Sequence, residues 1–461
     1  MTLAEELAAR IAAARYEQLP VAALETAKRA LLDTVGVTLA GANSDPARIV
    51  AASVGAGSVA GPALVFGQEY RTSILDAALI NGTASHALDF DDCSNTLGGH
   101  PSVPILPALW ALAEERGANG QDFLLAYIVG IETETRIGRA VNFHHYEKGW
   151  HPTSTLGVFG AAAACARLMK LDEDRIATAL AIAASMASGL KANFGTMTKP
   201  FHVGQCARSG LLAALLASNG LTANHKVFEH DQGFLEVYNG RGNYDAERAI
   251  AAWGDPWDII EPGIAFKRYP CCASTHPAID ALLELREEHK LDARNVRSLV
   301  SWTHPRRFKH TDRPRPASGF DGKFSVQYVL ARALQRGFVS VNDFSDAAVR
   351  EAEISHLLEK VIAAAPHPKA TPEETNIYYA ELTVETTDGR TLHKYVDSPV
   401  GRDRHHPLPE GALETKFDDC AGLILREPVV ADVRERLLSL ERENAASGVS
   451  ALIERGLHHV A

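Results

Sequence analysis

Hydrophobic residues recur every three to four positions through most of the first 260 residues, which is the period of an amphipathic helix. Residues 21–42 (VAALETAKRALLDTVGVTLAGA) and 119–141 (NGQDFLLAYIVGIETETRIGRAV) show this spacing. Residues 153–170 (TSTLGVFGAAAACARLMK) add a face made almost entirely of glycine and alanine, which predicts a buried central helix. Strand signals are few in this part; PALVFG at 62–67 is one.

The pattern changes near residue 267. Residues 296–304 (VRSLVSWTH) are strand-like, and residues 379–396 alternate around Asp388-Gly389, a strong hairpin signal. A helical pattern at 322–337 lies between them, and helical spacing returns after residue 411. The sequence therefore predicts a mainly α protein: a large all-helical domain formed by 1–266 and 404–461, interrupted by a smaller α+β domain at 267–403.

Composition and charge narrow the function classes. The 461 residues include 46 basic and 57 acidic side chains, for a formal net charge of -11. This balance argues against broad nucleic-acid binding but allows a local basic pocket for an anion. The N-terminus lacks the basic start and apolar core of a signal peptide, and the most apolar run, 177–190, is too short to span a membrane. We expect a cytoplasmic protein without membrane or nucleic-acid partners.

Familiar cofactor motifs are absent from the sequence. GAGSVAG at 55–61 lacks the glycine spacing of a dinucleotide loop, and there is no GxSxG or HExxH. The six cysteines form no CxxC pair and indicate reduced thiols. The adjacent histidines His144-His145 and His405-His406 do not favour a metal site, because neighbours on a helix point to different faces. We therefore predict neither a cofactor nor a metal.

Four stretches combine glycine or proline with polar groups that a core would disfavour. They are NGTASHALDFDDCSNTLGGHPS (81–102), KGWHPTSTLG (148–157), GTMTKPFHVGQCARSG (195–210) and KRYPCCASTHPAID (267–280). Their candidate site residues are Asp89, His100, His151, Lys199, His202, Lys267, Arg268 and His276, joined by Tyr328 from the following helix. The first stretch also places three aspartates at the end of a predicted helix, where negative charge is locally unfavourable.

Histidine or lysine recurs at predicted helix starts in these stretches. Helix N-termini offer free N–H groups and partial positive charge, so several of them would form a pocket for a small molecule with several carboxylates. The same positive end should lower the pKa of the histidines, which suits a neutral acid/base group near pH 7. Taken one at a time, these residues are more simply explained as a helix cap, a surface lysine or a core tyrosine. The prediction of a carboxylate-binding pocket rests on the whole set.

Taken together, the four motifs resemble the MmgE/PrpD family, which includes 2-methylcitrate dehydratases, cis-aconitate decarboxylases and iminodisuccinate epimerases. The resemblance covers nearly the whole chain. It implies a helical domain with a smaller α+β lid, a homodimer and no required metal. It also implies a catalytic set of Asp89, His100, His151, Lys199, His276 and Tyr328. The spacer between Asp89 and His100 is about one residue longer than in the decarboxylase branch.

The first interpretation of the chemistry is metal-independent dehydration of a di- or tricarboxylate, as in 2-methylcitrate dehydratase. In this scheme His151 is the general base, its charge is set by Asp89 and His100, and Tyr328 or His100 is the acid. Lys199, His202, Lys267, Arg268 and His276 would bind the carboxylates. Decarboxylation and epimerisation remain open alternatives, as do a non-catalytic carboxylate-binding protein and a helical scaffold.

Overall fold

A computed structural model describes residues 1–58, 60–371, 374, 376–403 and 405–458. The chain divides into two compact units. The first unit comprises Met1–Ala87, Asp91–Phe266 and Pro409–Ala461, and the second comprises Leu88–Phe90 and Lys267–Leu408. The predicted domain boundary at residue 404 and the predicted domain's last three residues lie outside the described residues.

Helices dominate the first unit, as the spacing of its hydrophobic residues predicts. Its N-terminal part contains helices α1 (Leu3–Ala13), α2 (Val21–Gly41), α3 (Asp45–Ser53), α4 (Ile74–His86), α5 (Ser102–Arg116), α6 (Gly120–Val141), α7 (His144–Lys148), α8 (Pro152–Thr155), α9 (Gly157–Leu168), α10 (Glu173–Ala184), α11 (Thr198–Ser218) and α12 (Phe234–Asn239), with strands β1 (Ala63–Leu64) and β2 (Arg71–Thr72). Strand β1 lies within the predicted PALVFG strand and pairs antiparallel with β2.

The small residues of α9 allow it to occupy the centre of this unit. All of its residues except Arg167 are buried, which confirms the predicted central helix. Helix α9 packs against α5, α6, α10 and α11. At Gly160 an added Cβ atom would lie 2.4 Å from the side chain of Glu134 on α6, so a larger residue would force the two helices apart.

A close crossing of α4 and α11 sets the position of several candidate residues. A Cβ atom on Gly82 of α4 would lie 2.8 Å from the Cα atom of Gly204 on α11, and one on Gly204 would lie 2.2 Å from the carbonyl oxygen of Leu79. Only two glycines allow backbones to approach so closely. One turn beyond Gly82 is His86, and just before Gly204 is the first turn of α11.

The second unit is an α+β structure. It contains helices α13 (His276–His289), α14 (Pro305–Thr311), α15 (Gly319–Gly322), α16 (Val326–Arg336), α17 (Asp346–Val349) and α18 (Ala352–Lys360), and strands β3 (Val296–Thr303), β4 (Ile362–Pro366), β5 (Ala380–Thr386) and β6 (Thr391–Val396). The sheet has the order β4-β3-β5-β6, with β3 and β4 parallel and the other pairs antiparallel. Helices α13 and α16 supply much of the hydrophobic core that covers it.

The hairpin predicted at Asp388-Gly389 is confirmed, because β5 and β6 are joined there and Gly389 adopts a φ of 89°. Strand β4 is not predicted by the sequence analysis. Its residues, IAAAP, carry little intrinsic strand propensity. Pairing with β3 at the sheet edge stabilises this strand, and local residue patterns do not show that pairing.

The C-terminal segment returns to the first unit as helices α19 (Ala412–Ala421), α20 (Glu427–Leu438) and α21 (Ser447–Gly456). Helix α19 packs on α2, where Lys416 forms an ion pair of 2.6 Å with the buried Asp33. The six cysteines are free thiols, as predicted. Within the described part of the chain, the helices lack the combination of length and apolarity that crossing a bilayer requires.

The α4–α11 crossing generates a stability prediction. Gly204→Ala should lower the free energy of unfolding by about 1–3 kcal/mol, although alanine is the better helix former, because the new methyl group meets backbone atoms of α4. Urea and thermal unfolding measure the change. Gly448→Ala in α21 is the matched control, since its Cβ meets only the ends of flexible side chains. Equal stability of the two variants would contradict the close crossing.

Candidate active site

Three helix boundaries in the first unit bring candidate residues together. Helix α4 ends at His86, His100 lies two residues before α5, and His151 is the N-cap residue of α8. The loop that carries His100 lies directly on the start of α8. A Cβ atom on Gly99 would be 2.6 Å from Thr153 Oγ1, and the His100 N–H donates to the same oxygen over 3.1 Å.

The buried Asp91 carboxylate is the centre of this cluster. Its Oδ2 atom accepts hydrogen bonds from His86 Nδ1 at 2.8 Å and from His100 Nδ1 at 3.0 Å. His100 Nδ1 also donates to the Asp92 carbonyl oxygen at 2.8 Å. The His86 and His100 rings meet edge to face, with their centroids 4.6 Å apart. One carboxylate oxygen therefore orients two imidazoles.

His151 also contacts the His86 ring. The two rings stack with centroids 5.8 Å apart and 30° between their planes. His151 Nδ1 lies 3.2 Å from His202 Nδ1, so one of these nitrogens donates and the other accepts. The Phe194 ring meets His151 edge to face at 4.9 Å and lies 5.2 Å from the Lys199 ammonium.

Lys199 and His202 lie at the start of α11, where the predicted combination of helix start and basic side chain is present. Lys199 is buried, and its ammonium is close enough to affect the protonation of His86, His151 and His202. The first unit thus assembles His100, His151, Lys199 and His202 from the predicted set, together with His86 and Asp91.

Burial and a neighbouring cation keep these imidazoles neutral. Burial, followed by the Lys199 charge, holds the pKa of His151 well below its usual value, and the same causes lower the pKa of His202. Burial lowers the pKa of His86 to about 3, although Asp91 opposes the change. The predicted direction is confirmed, but burial and Lys199 are the causes, whereas the prediction invoked the helix dipole.

Neighbouring aspartates in the same loop differ in protonation. Burial alone would raise the pKa of Asp91, but His100 and His86 hold it well below its usual value, so this carboxylate is ionised. Burial and the nearby Asp33 raise the pKa of Asp92 well above its usual range. The Asp92 side chain accepts from the Ser102 N–H and hydroxyl instead of meeting an imidazole.

The remaining predicted residues belong to the second unit. Asp89 adopts a left-handed backbone conformation with a φ of 52°, and its Oδ1 atom accepts from Lys267 Nζ at 2.7 Å, both side chains being buried. The exposed Arg268 contacts Asp280 at 3.3 Å. His276 is the first residue of α13, and its Nε2 atom donates to the Cys271 carbonyl oxygen at 3.2 Å.

Tyr328 lies on α16 inside the hydrophobic core of the second unit. Its hydroxyl donates to the Asp343 carbonyl oxygen and accepts from Arg332 Nε at 3.0 Å. The structure thus gives this hydroxyl two partners within its own unit. Participation of Tyr328 in catalysis stays a prediction, as do the roles of Asp89, Lys267, Arg268 and His276.

Two residues of the first-unit cluster, His86 and Asp91, were not selected from the sequence. Both lie in the motif SHALDFDD, where Asp89 was selected instead. The sequence feature that could have identified this pair is the spacing of five residues between His86 and Asp91, which spans the end of α4 and allows the chain to turn back. A spacing of this kind has no periodic signature, so only the folded loop identifies the pair.

His86, Asp91 and His100 also offer ligand atoms within 4.8 Å of one another, a separation that a metal ion could bridge. Two Nδ1–H groups donating to one carboxylate oxygen account for the same geometry without an ion. The expectation that the protein needs no metal therefore stays a prediction.

Two family models match the chain. The model described as the MmgE/PrpD N-terminal domain matches residues 5–247, and that described as the MmgE/PrpD C-terminal domain matches residues 269–440. These segments fall in the first and second units of the fold, respectively, apart from residues 88–90 of the first match and 409–440 of the second.

Individual relatives match over most of their length. A human cis-aconitate decarboxylase is 31% identical, covering 98% of this chain and 95% of the relative. An Aspergillus terreus cis-aconitate decarboxylase is 29% identical, covering 92% and 90%. A Salmonella typhimurium 2-methylcitrate dehydratase is 22% identical, covering 87% and 86%. These matches support the decarboxylase alternative better than the dehydration interpretation.

The protonation of the buried imidazoles can be measured directly. In protein with labelled histidines, the NMR signals of His86 and His151 should show no titration between pH 8 and 5.5, because burial depresses both pKa values. A short histidine-containing peptide in the same buffer, with a pKa of about 6.5, provides the reference titration. Variants lacking one ring identify the signals. A midpoint near 6.5 for either ring would contradict the electrostatics described above.

Proposed function

This chain belongs to the MmgE/PrpD family and is one of its lyases, and from that premise we propose that it removes carbon dioxide from a small tricarboxylate such as cis-aconitate. The observation that carries the proposal is the similarity to cis-aconitate decarboxylases along almost the entire chain. The first-unit cluster of one buried ammonium, neutral imidazoles and one ionised aspartate supports it.

Decarboxylation changes the bonding of the substrate in three ways. The bond between a carbon and its carboxylate breaks, the electron pair moves through the adjacent double bond, and a new C–H bond forms with an added proton. A trianion and one proton thus become a dicarboxylate dianion and carbon dioxide. The site therefore has three requirements: it must bind the retained carboxylates, offer little stabilisation to the departing one, and hold a proton donor near the carbon.

Lys199 and the start of α11 meet the first requirement. The ammonium is buried, so it attracts a carboxylate more strongly than a surface lysine does. The start of α11 adds the positive end of a helix of 21 residues. His202, half-buried one turn of helix further on, supplies another polar group at this end.

The neutral imidazoles meet the second requirement. Burial keeps His86 and His151 uncharged, so a carboxylate placed against these rings exchanges its hydration for groups that carry no net charge. Departure as uncharged carbon dioxide removes that cost. This role for His151 replaces the general base of the dehydration scheme, since decarboxylation needs no proton to be removed from carbon.

We assign proton delivery to His100. Its Nδ1–H is held by Asp91 and the Asp92 carbonyl oxygen, so proton exchange takes place at Nε2. An imidazolium at this position is stabilised by the ionised Asp91, as in other carboxylate–histidine pairs. Tyr328 receives no step, because its hydroxyl already has two partners. The lid role of the second unit, a homodimer and a cytoplasmic location also remain proposals.

A substrate panel in deuterated water tests the function. NMR should show carbon dioxide release from cis-aconitate, with one deuteron incorporated into the dicarboxylate product. Loss of water from 2-methylcitrate, without carbon dioxide, would overturn decarboxylation in favour of the dehydratase alternative. Exchange at a single carbon with inversion would indicate epimerisation, and binding without exchange would indicate a carboxylate-binding protein.

Lys199→Met should lower kcat/KM by about 10²–10³-fold, the usual effect of removing a donor that stabilises developing charge in a buried site. Lys226→Met removes an exposed lysine and is the matched control. Steady-state kinetics on the accepted substrate measure both variants, with thermal unfolding as a check of folding. Unchanged turnover by a folded Lys199→Met enzyme would contradict the proposed carboxylate contact.

A further inference from the structure

Asp91 and His86 form a connected pair that the decarboxylation scheme above uses only indirectly. Both side chains are fully buried, and they are joined by a hydrogen bond of 2.8 Å. The Asp91 oxygen that accepts from His86 also accepts from His100 at 3.0 Å. A protonated carboxyl group would place a hydrogen on one of its oxygens, so an ionised carboxylate suits two N–H donors better.

Sharing one acceptor constrains both imidazoles. Each ring must carry its proton on Nδ1 to donate to Asp91, and this leaves Nε2 as the atom that accepts or exchanges a proton. For His100 the Asp92 carbonyl oxygen gives the same result, since a carbonyl accepts only from Nδ1–H. The tautomer of His100 is therefore set by two acceptors, of which Asp91 alone carries charge.

The His86 ring also contacts both other imidazoles. It meets His100 edge to face and stacks on His151. Its Nε2 atom is buried and has no hydrogen-bond partner among the described residues, as is also true of His151 Nε2. Buried polar atoms are costly without partners, so these two nitrogens indicate a polar ligand at this place.

We propose that Asp91 and His86 are positioning residues: Asp91 fixes His100 with its proton on Nδ1, and His86 holds Asp91 in place. This inference rests on the proposed role of His100 as proton donor. Asp91 acts through the His100 ring, and His86 acts on His100 through Asp91 in addition to its own contacts in the cluster.

Asp91→Asn tests the pair, with Asp258→Asn as the control. Asp258 is also a buried aspartate of the first unit, but its carboxylate pairs with Arg139 at 2.7 Å and not with an imidazole of the cluster. On whichever carboxylate the wild-type enzyme converts, Asp91→Asn should lower kcat by about 10²–10⁴-fold with KM changed by less than about threefold. Asp258→Asn should change both constants by less than about threefold.

Nitrogen-15 spectra of the imidazoles give a readout that needs no substrate. The wild-type protein should show His86 and His100 protonated at Nδ1, and Asp91→Asn should shift the signals of both rings together, because they share one acceptor. A neutral ring protonated on Nε2 and not on Nδ1 at either histidine in the wild-type protein, or a response of only one ring, would overturn the inference even if decarboxylation is found.

The role of His86 is tested by comparing a substitution that keeps an N–H donor with one that removes it. His86→Asn keeps an N–H donor near the position of Nδ1, whereas His86→Leu removes it, so the asparagine variant should be about tenfold more active or better. Equal activity of the two folded variants would remove His86 from the pair. If the spectra and the rescue succeed while cis-aconitate is not decarboxylated, the positioning pair stands and the proposed function fails.

Discussion

The close contact between α4 and α11 is the constraint on which the candidate site depends. Gly82 and Gly204 let the two backbones meet where any side chain would hold them apart. Because His86 lies one turn beyond the first glycine and Lys199 and His202 lie just before the second, the crossing places their polar groups in one neighbourhood. The close packing that assembles the site therefore requires glycine at both positions.

Burial then determines the charge of each group in that neighbourhood. The imidazoles of His86 and His151 lose their tendency to ionise because water is excluded and Lys199 is near. Asp91 stays ionised in the same surroundings, since two N–H donors compensate for its burial. Asp92, one residue later, is bonded to Ser102 and to no imidazole, and burial and the nearby Asp33 raise its pKa. Two chemically identical neighbours thus differ in protonation because they meet different partners.

The arrangement suits chemistry in which charge is lost from a substrate. A single buried ammonium attracts a polycarboxylate, while uncharged rings offer little to the carboxylate that departs. Dehydration and decarboxylation would both use such a pocket. They differ in whether a proton is taken from carbon or given to it, and the similarity to cis-aconitate decarboxylases favours the second.

Much of the fold follows from local patterns. The buried α9 and the β5–β6 hairpin are predicted because helix periodicity, small-residue faces and Asp-Gly turns are short-range signals. Strand β4 is not predicted, because IAAAP becomes a strand only through pairing with β3. Among the site residues, His151 and Lys199 were found because each precedes or opens a helix, a position that the sequence marks.

By itself, the sequence determined the helical and α+β segments, the family and the residue types available for acid/base chemistry, since these depend on spacing and motif. The tertiary structure alone decided that His86 and Asp91 join His100, that the Asp92 side chain does not, and that the Tyr328 hydroxyl is held by Asp343 and Arg332. The reason is physical: hydrogen-bond partners and pKa values depend on distance and burial, which arise only when separated segments pack together.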